Sequence, residues 1–146
     1  MLIAMPVWFV LILWSNAHPE FGENVEFVEW LPANARNVSY YKTYSWTAYE
    51  FDIDERSFRG WASRYELKEI ADPQEIERYN YYSDFLEQRW DTRDSEWYKA
   101  YEAERKKYVA IVTHGLYDFE RRGNGAGYHV VFHRLKQRAY FRCNPR

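Results

Sequence analysis

Residues 109–143 constrain this chain more than any other stretch: V-A-I-V-T-H-G-L-Y-D-F-E, then R-R-G-N-G-A-G, then Y-H-V-V-F-H-R-L-K-Q-R-A-Y-F-R-C. Two segments with apolar residues at alternate positions flank a run of three glycines and an asparagine, the pattern of a β-hairpin. A tighter turn over Arg134–Arg138 leads into a third short strand, Ala139–Cys143. The expectation is a three-stranded antiparallel meander.

Side chains alternate across a strand, so the meander predicts two faces. A hairpin closing symmetrically about Gly123 and Asn124 puts Ile111, Thr113, Gly115, Tyr117 and Phe119 with Tyr128, Val130 and Phe132. Ala139, Phe141 and Cys143 join them, and this is the expected core side. The outward side then carries His114, Leu116 and Asp118 opposite His129, Val131 and His133, with Asp118 across from His129 and His114 across from His133.

Upstream, Asn37–Ile53 reads as a second hairpin with its turn near Thr43–Ser45. Thr47, Tyr49, Phe51 and Ile53 form its apolar face, and Glu50 and Asp52 end the face expected to meet water. Asp54 is placed to cap a helix, with Ile53 and Phe58 as a hydrophobic staple. Phe58, Trp61, Ala62 and Tyr65 follow helical spacing and make its core stripe, and Gly60 is read as allowing close approach to the sheet. Asp72, Pro73 and Glu75 suggest a short second helix ending near Tyr79. Phe85–Trp90 suggests a further turn or two of helix, and Asp94 or Ser95 caps a longer one reaching Lys107. Val25–Leu31 could supply one edge strand. Helices grouped between two antiparallel sets of strands imply an α+β domain, an antiparallel sheet covered on one face by helices.

The first charged side chain is Glu20 and the first basic one Arg36. The apolar opening before them is shorter than the roughly 20 residues that span a bilayer. With Ser15 and Ala17 as small residues before a cleavage point, residues 1–17 read as a signal peptide or an N-terminal membrane anchor, although no basic residue precedes the apolar run. Residues 18–146 form one α+β domain. The expected location is therefore exported, periplasmic or extracellular, or membrane-anchored through the N-terminal segment.

Lys and Arg number 20 against 22 Asp and Glu, a balance that argues against binding nucleic acid by phosphate neutralisation. One cysteine, Cys143, excludes an intrachain disulfide and is read as a buried small hydrophobe. The glycine run is neither a dinucleotide nor a P-loop fingerprint, and it joins strand to strand. Arg121 and Arg122 ahead of it could hold an anion, a role that solvated turn charges seldom have. No cofactor is implied.

His129 and His133 lie about 13 Å apart along one strand, so they cannot share a metal. His114 with His133 is the weak metal alternative, and no third ligand is evident. Asp118 with His129 resembles the orienting half of a catalytic triad, but no nucleophile stands in a recognisable context. Aromatic residues make up 21% of the chain, and Tyr40, Tyr41, Tyr44 and Trp46 crowd the tip of the first hairpin. Rings exposed there could stack on sugars or bury against a protein. The expected function is a non-catalytic interaction module for a protein or an envelope or carbohydrate ligand. The alternative is a small hydrolase or metal-dependent enzyme using His114, Asp118, His129 and His133.

Overall fold

The structure, a computed structural model, describes residues 7–86 and 103–145. In chain order it contains α1 (Val7–Ala17), β1 (Glu20–Val25), β2 (Arg36–Lys42), β3 (Thr47–Asp52), α2 (Glu55–Trp61), β4 (Lys68–Glu69) and β5 (Gln74–Glu77). A π-helical turn, Tyr81–Leu86, follows. After it come a 3-10 turn (Lys106–Tyr108), β6 (Val109–Val112), β7 (Gly115–Arg121), β8 (Gly127–His133) and β9 (Arg138–Asn144). Seven strands form one sheet in the order β1-β2-β3-β9-β8-β7-β4, and β5 pairs with β6 in a separate ribbon. Every pairing is antiparallel. The fold is α+β, and the N-terminal hairpin and the C-terminal meander are fused through β3 and β9, where Tyr49 faces Phe141.

On one face of the sheet, Phe51, Phe58, Val130, Phe132, Leu116 and Ala139 are excluded from water. Burying a side chain of this size is worth about 1.5–3 kcal/mol, so this cluster is the main source of stability. Asp54 caps α2 as expected, its carboxylate accepting from Ser57 N at 2.9 Å. Ile53 and Phe58, the expected staple, both lie in the core. Trp61 meets Phe51 edge-on with ring centres 5.4 Å apart, and Tyr65 packs on Tyr128 at 4.8 Å. Arg134, in the β8–β9 turn, bridges Glu55 of α2 at 2.7 Å and Glu69 of β4 at 2.9 Å. Hydrogen bonds from that guanidinium hold the Glu55 carboxyl down at about 2.

The opposite face is also covered. Ile76 and Val112 of the ribbon bury against Val131 and Tyr140. Beside them, Tyr81 and Phe85 bury against Tyr41, Trp46 and Ala48. A sheet with both faces inside leaves no outward side along its central strands. Glu50, expected in water, is 1% exposed, and His129 and His133 are buried at 7% each.

The register of β7 departs from expectation for an identifiable reason. The β7–β8 hairpin pairs Arg121 with Gly127 and Phe119 with His129, so its axis passes through Asn124 rather than between Gly123 and Asn124. Arg122 N donates to Ala126 O and Gly125 N to Arg122 O, with Gly125 at φ 85°. This is a three-residue loop closed by a left-handed glycine, and an odd loop reverses the parity of the strand before it. Leu116 and Asp118 therefore join the core side, while Phe119 is 52% exposed and Tyr117 moves to the ribbon side. Ile111, expected inside, is exposed, and its neighbour Val112 is buried instead.

The helix expected to start at Asp72 is instead strand β5, because Ile76 gains complete burial against β6, a partner more than thirty residues away. Local capping chemistry of about 1 kcal/mol does not outweigh such a pairing. The edge strand begins at Glu20 rather than Val25. Gly60 has nothing within 4 Å of where a side chain would sit, so close approach does not explain it. The helix expected from Asp94 or Ser95 to Lys107, and Arg89 and Trp90, fall largely outside the described residues; the 3-10 turn at Lys106–Tyr108 ends that stretch.

Candidate functional site

The aromatic tip of the first hairpin is mostly interior. A turn in which Thr43 N donates to Trp46 O at 2.8 Å folds Trp46 back onto the sheet, where it stands 5.7 Å from Tyr82 and 5.9 Å from Tyr41. Trp46 and Tyr41 are buried, and Tyr40 stacks on Tyr49 at 5.5 Å. Of the four rings, Tyr44 alone is exposed, at 55%. A cluster of exposed rings at this tip is therefore ruled out by their burial.

Tyr44 has a neighbour that sequence reasoning did not supply. Its backbone N–H donates to Ser15 Oγ at 3.0 Å, and Asn16 Nδ2 donates to Ser45 Oγ at 3.1 Å, so the C-terminal end of α1 rests on the hairpin turn. The remainder of α1 has no such support. No residue of α1 is buried, and Val7, Trp8, Leu11, Leu13 and Trp14 are each at least half exposed. The helix carries no acidic residue in its first turn and no basic one in its last.

The four residues of the possible enzymatic face do not share a face. Asp118 pairs with Val130 and His129 with Phe119, which puts the carboxylate and the imidazole on opposite sides of the sheet. Asp118 instead accepts from Tyr128 Oη at 2.7 Å and from Glu66 N at 3.0 Å, tying the end of the α2 segment to β7. His114 is exposed, with its Nδ1 2.9 Å from Thr113 Oγ1, and burial lowers the pKa of His133. Among the described residues no group of three or more His, Cys, Asp or Glu side chains converges on a point. Cys143 is half-buried at the edge of the main cluster, and burial pushes its thiol up, away from thiolate reactivity.

A concave site does exist on the ribbon side, at the end of the sheet beside the β7–β8 loop. It is a half-open cleft of about 330 Å³ lined by Glu77, Phe119, Arg121, Gly127, His129 and Arg142 among others. Arg142 and His129 are cross-strand partners on its floor. Arg142 donates to Glu77 at 2.8 Å and lies 6.0 Å from the Trp46 ring. Burial pushes the His129 imidazole down to about 4, so it is neutral at physiological pH. His129 Nε2 and Arg142 Nε are buried without a hydrogen-bond partner among the described residues. The sequence signalled His129 and Arg121 singly. Glu77 and Arg142 had no local signal, because they come together only when the ribbon folds over the sheet.

No protein-family model, no curated protein and no solved structure matches this chain.

Proposed function

We propose that the protein is an exported or membrane-tethered interaction domain that α1 attaches to a lipid bilayer, with no catalytic activity of its own. The observation that carries this reading is the exposure of Val7, Trp8, Phe9, Val10, Leu11, Leu13 and Trp14, apolar side chains that point to more than one side of α1. A helix apolar around its whole circumference needs an apolar environment all around it, and a protein groove would cover one side only. Lipid acyl chains meet that need. At 1.5 Å per residue, eleven residues reach about 16 Å, roughly half the hydrocarbon thickness of a bilayer. In agreement with that length, no helix among the described residues is long and apolar enough to cross a membrane. Tyr44, exposed next to Ser15, has the amphipathic ring that suits the lipid–water boundary.

The test is flotation of the full chain with phosphatidylcholine vesicles. The expected result is that it rises with the lipid, and that a Leu11→Lys, Leu13→Lys variant stays in the aqueous fraction with an unchanged far-UV spectrum. An intact chain that stays off the vesicles would overturn lipid attachment. Mass measurement of the protein from its host separates the two forms of the reading, since loss of residues 1–17 means cleavage and export without an anchor.

Asp118 and His129, the orienting pair of the enzymatic alternative, lie on opposite faces of the sheet.

A further inference from the structure

We infer that the cleft beside the β7–β8 loop is a binding site for a small organic carboxylate with an apolar portion. The inference stands on the cleft's charge arrangement, and it holds whether or not α1 meets lipid.

Among the described residues two carboxylates line the cleft, and each is already engaged. Glu77 accepts from Arg142 at 2.8 Å, and Glu120 accepts from Arg122 at 2.7 Å. Arg121, on the same wall, has no carboxylate partner among the described residues and is exposed. The lining with its paired partner Arg122 therefore holds three guanidinium groups against two carboxylates, and the surplus charge is Arg121. A guanidinium fork matches a carboxylate in geometry and charge.

The backbone makes room for this. Arg121, Gly127 and Asn144 lie opposite one another across β7, β8 and β9. At Gly127 the row lacks a side chain, and none fits: a Cβ there would come within 2.0 Å of Glu120 O. The floor is thus low between Arg121 and Asn144. One row deeper lie His129 and Arg142, whose buried ring and guanidinium nitrogens add polarity without adding negative charge. In that same row, two residues along β7 from Arg121, the Phe119 ring, 52% exposed and edge-on to His129 at 5.1 Å, supplies an apolar lip. A ligand with a carboxylate on Arg121 and an apolar body on Phe119 fits both features. Neutral sugars would leave the surplus charge unanswered, and inorganic anions would leave the ring uncovered.

The experiment titrates the full chain in detergent with benzoate, acetate, benzamide, methyl glucoside and inorganic phosphate, following amide shifts of the β7–β8 loop. Benzoate is expected to shift the loop at lower concentration than any of the other four. Arg121→Gln, an exposed change outside the core, is expected to weaken benzoate by about tenfold while leaving the rest of the spectrum in place. Phe119→Ala is expected to reduce benzoate towards the level of acetate. The inference is overturned if benzoate leaves the loop unmoved, or if benzamide, methyl glucoside or phosphate matches it. Equal benzoate binding by the Arg121→Gln variant would overturn it as well.

Discussion

Arg78 donates two hydrogen bonds to the carboxylate of Glu50, at 2.6 Å and 3.1 Å, and Glu50 is 1% exposed in the middle of the sheet. Arg138 donates a third at 3.0 Å and continues to Asp52. The charge of Glu50 is thus answered from β9 and from the segment after β5, and the pair pins the ribbon side to the sheet. Removing one member of such a pair leaves the other charge buried, at a cost of about 3–5 kcal/mol. Glu50→Gln is expected to lose stability towards the lower end of that range, because Arg78 is 40% exposed and can turn to water. Urea unfolding measures this, and a loss under about 1 kcal/mol would show that the clamp is not a stability element.

Gly115 tests the close approach of β7 and β8. It sits at φ 146°, and a Cβ would fall 1.8 Å from the backbone oxygen of Phe132. Gly115→Ala is expected to destabilise the protein by about 3 kcal/mol or more, since backbone must move and a ladder pair must open. A near-wild-type melting temperature would contradict the strand register at this end of the sheet.

Gly60 predicts the reverse. It lies within α2 at an ordinary helical φ with open space around it. Gly60→Ala is therefore expected to stabilise by about 0.5–1 kcal/mol, raising the melting temperature by about 2–4 °C. Calorimetry would reveal any loss, and a loss would mean that the glycine serves a contact not visible in the structure.

His129 governs part of the pH dependence. Burial lowers its folded pKa to about 4, below the roughly 6.5 of an unfolded histidine. Between these values the unfolded chain binds the proton and the folded one does not, so stability falls as pH drops through that window. His133, also lowered by burial, acts in the same direction. The expected loss from His129 is on the order of 2–3 kcal/mol from pH 7 to pH 4. His129→Gln should flatten the profile over this range. Below it Glu55, held at about 2, adds a second decline from roughly pH 4.3 to pH 2 as its carboxyl takes up the proton. Denaturant midpoints at half-unit pH steps check both, and an unchanged slope in the His129 variant would contradict a buried neutral imidazole.

Features resting on near neighbours in the chain were determined by the sequence alone. The β2–β3 and β8–β9 hairpins, the Asp54 cap, the Ile53–Phe58 staple and the core side of β8 and β9 all follow from turn chemistry, capping or two-residue alternation. Tertiary structure alone decided whatever depended on a distant partner. The extra loop residue at Gly125 reversed β7 and separated Asp118 from His129. The β6 strand turned a plausible helix start at Asp72 into β5, Tyr81 and Phe85 after it covered Tyr41 and Trp46, and Glu50 and both strand histidines are buried on the same side of the sheet. The ribbon also brought Glu77 onto Arg142 to close one wall of the cleft. Alternation along a strand states which residues share a side but not whether the far side meets water, because that depends on what the rest of the chain lays over it.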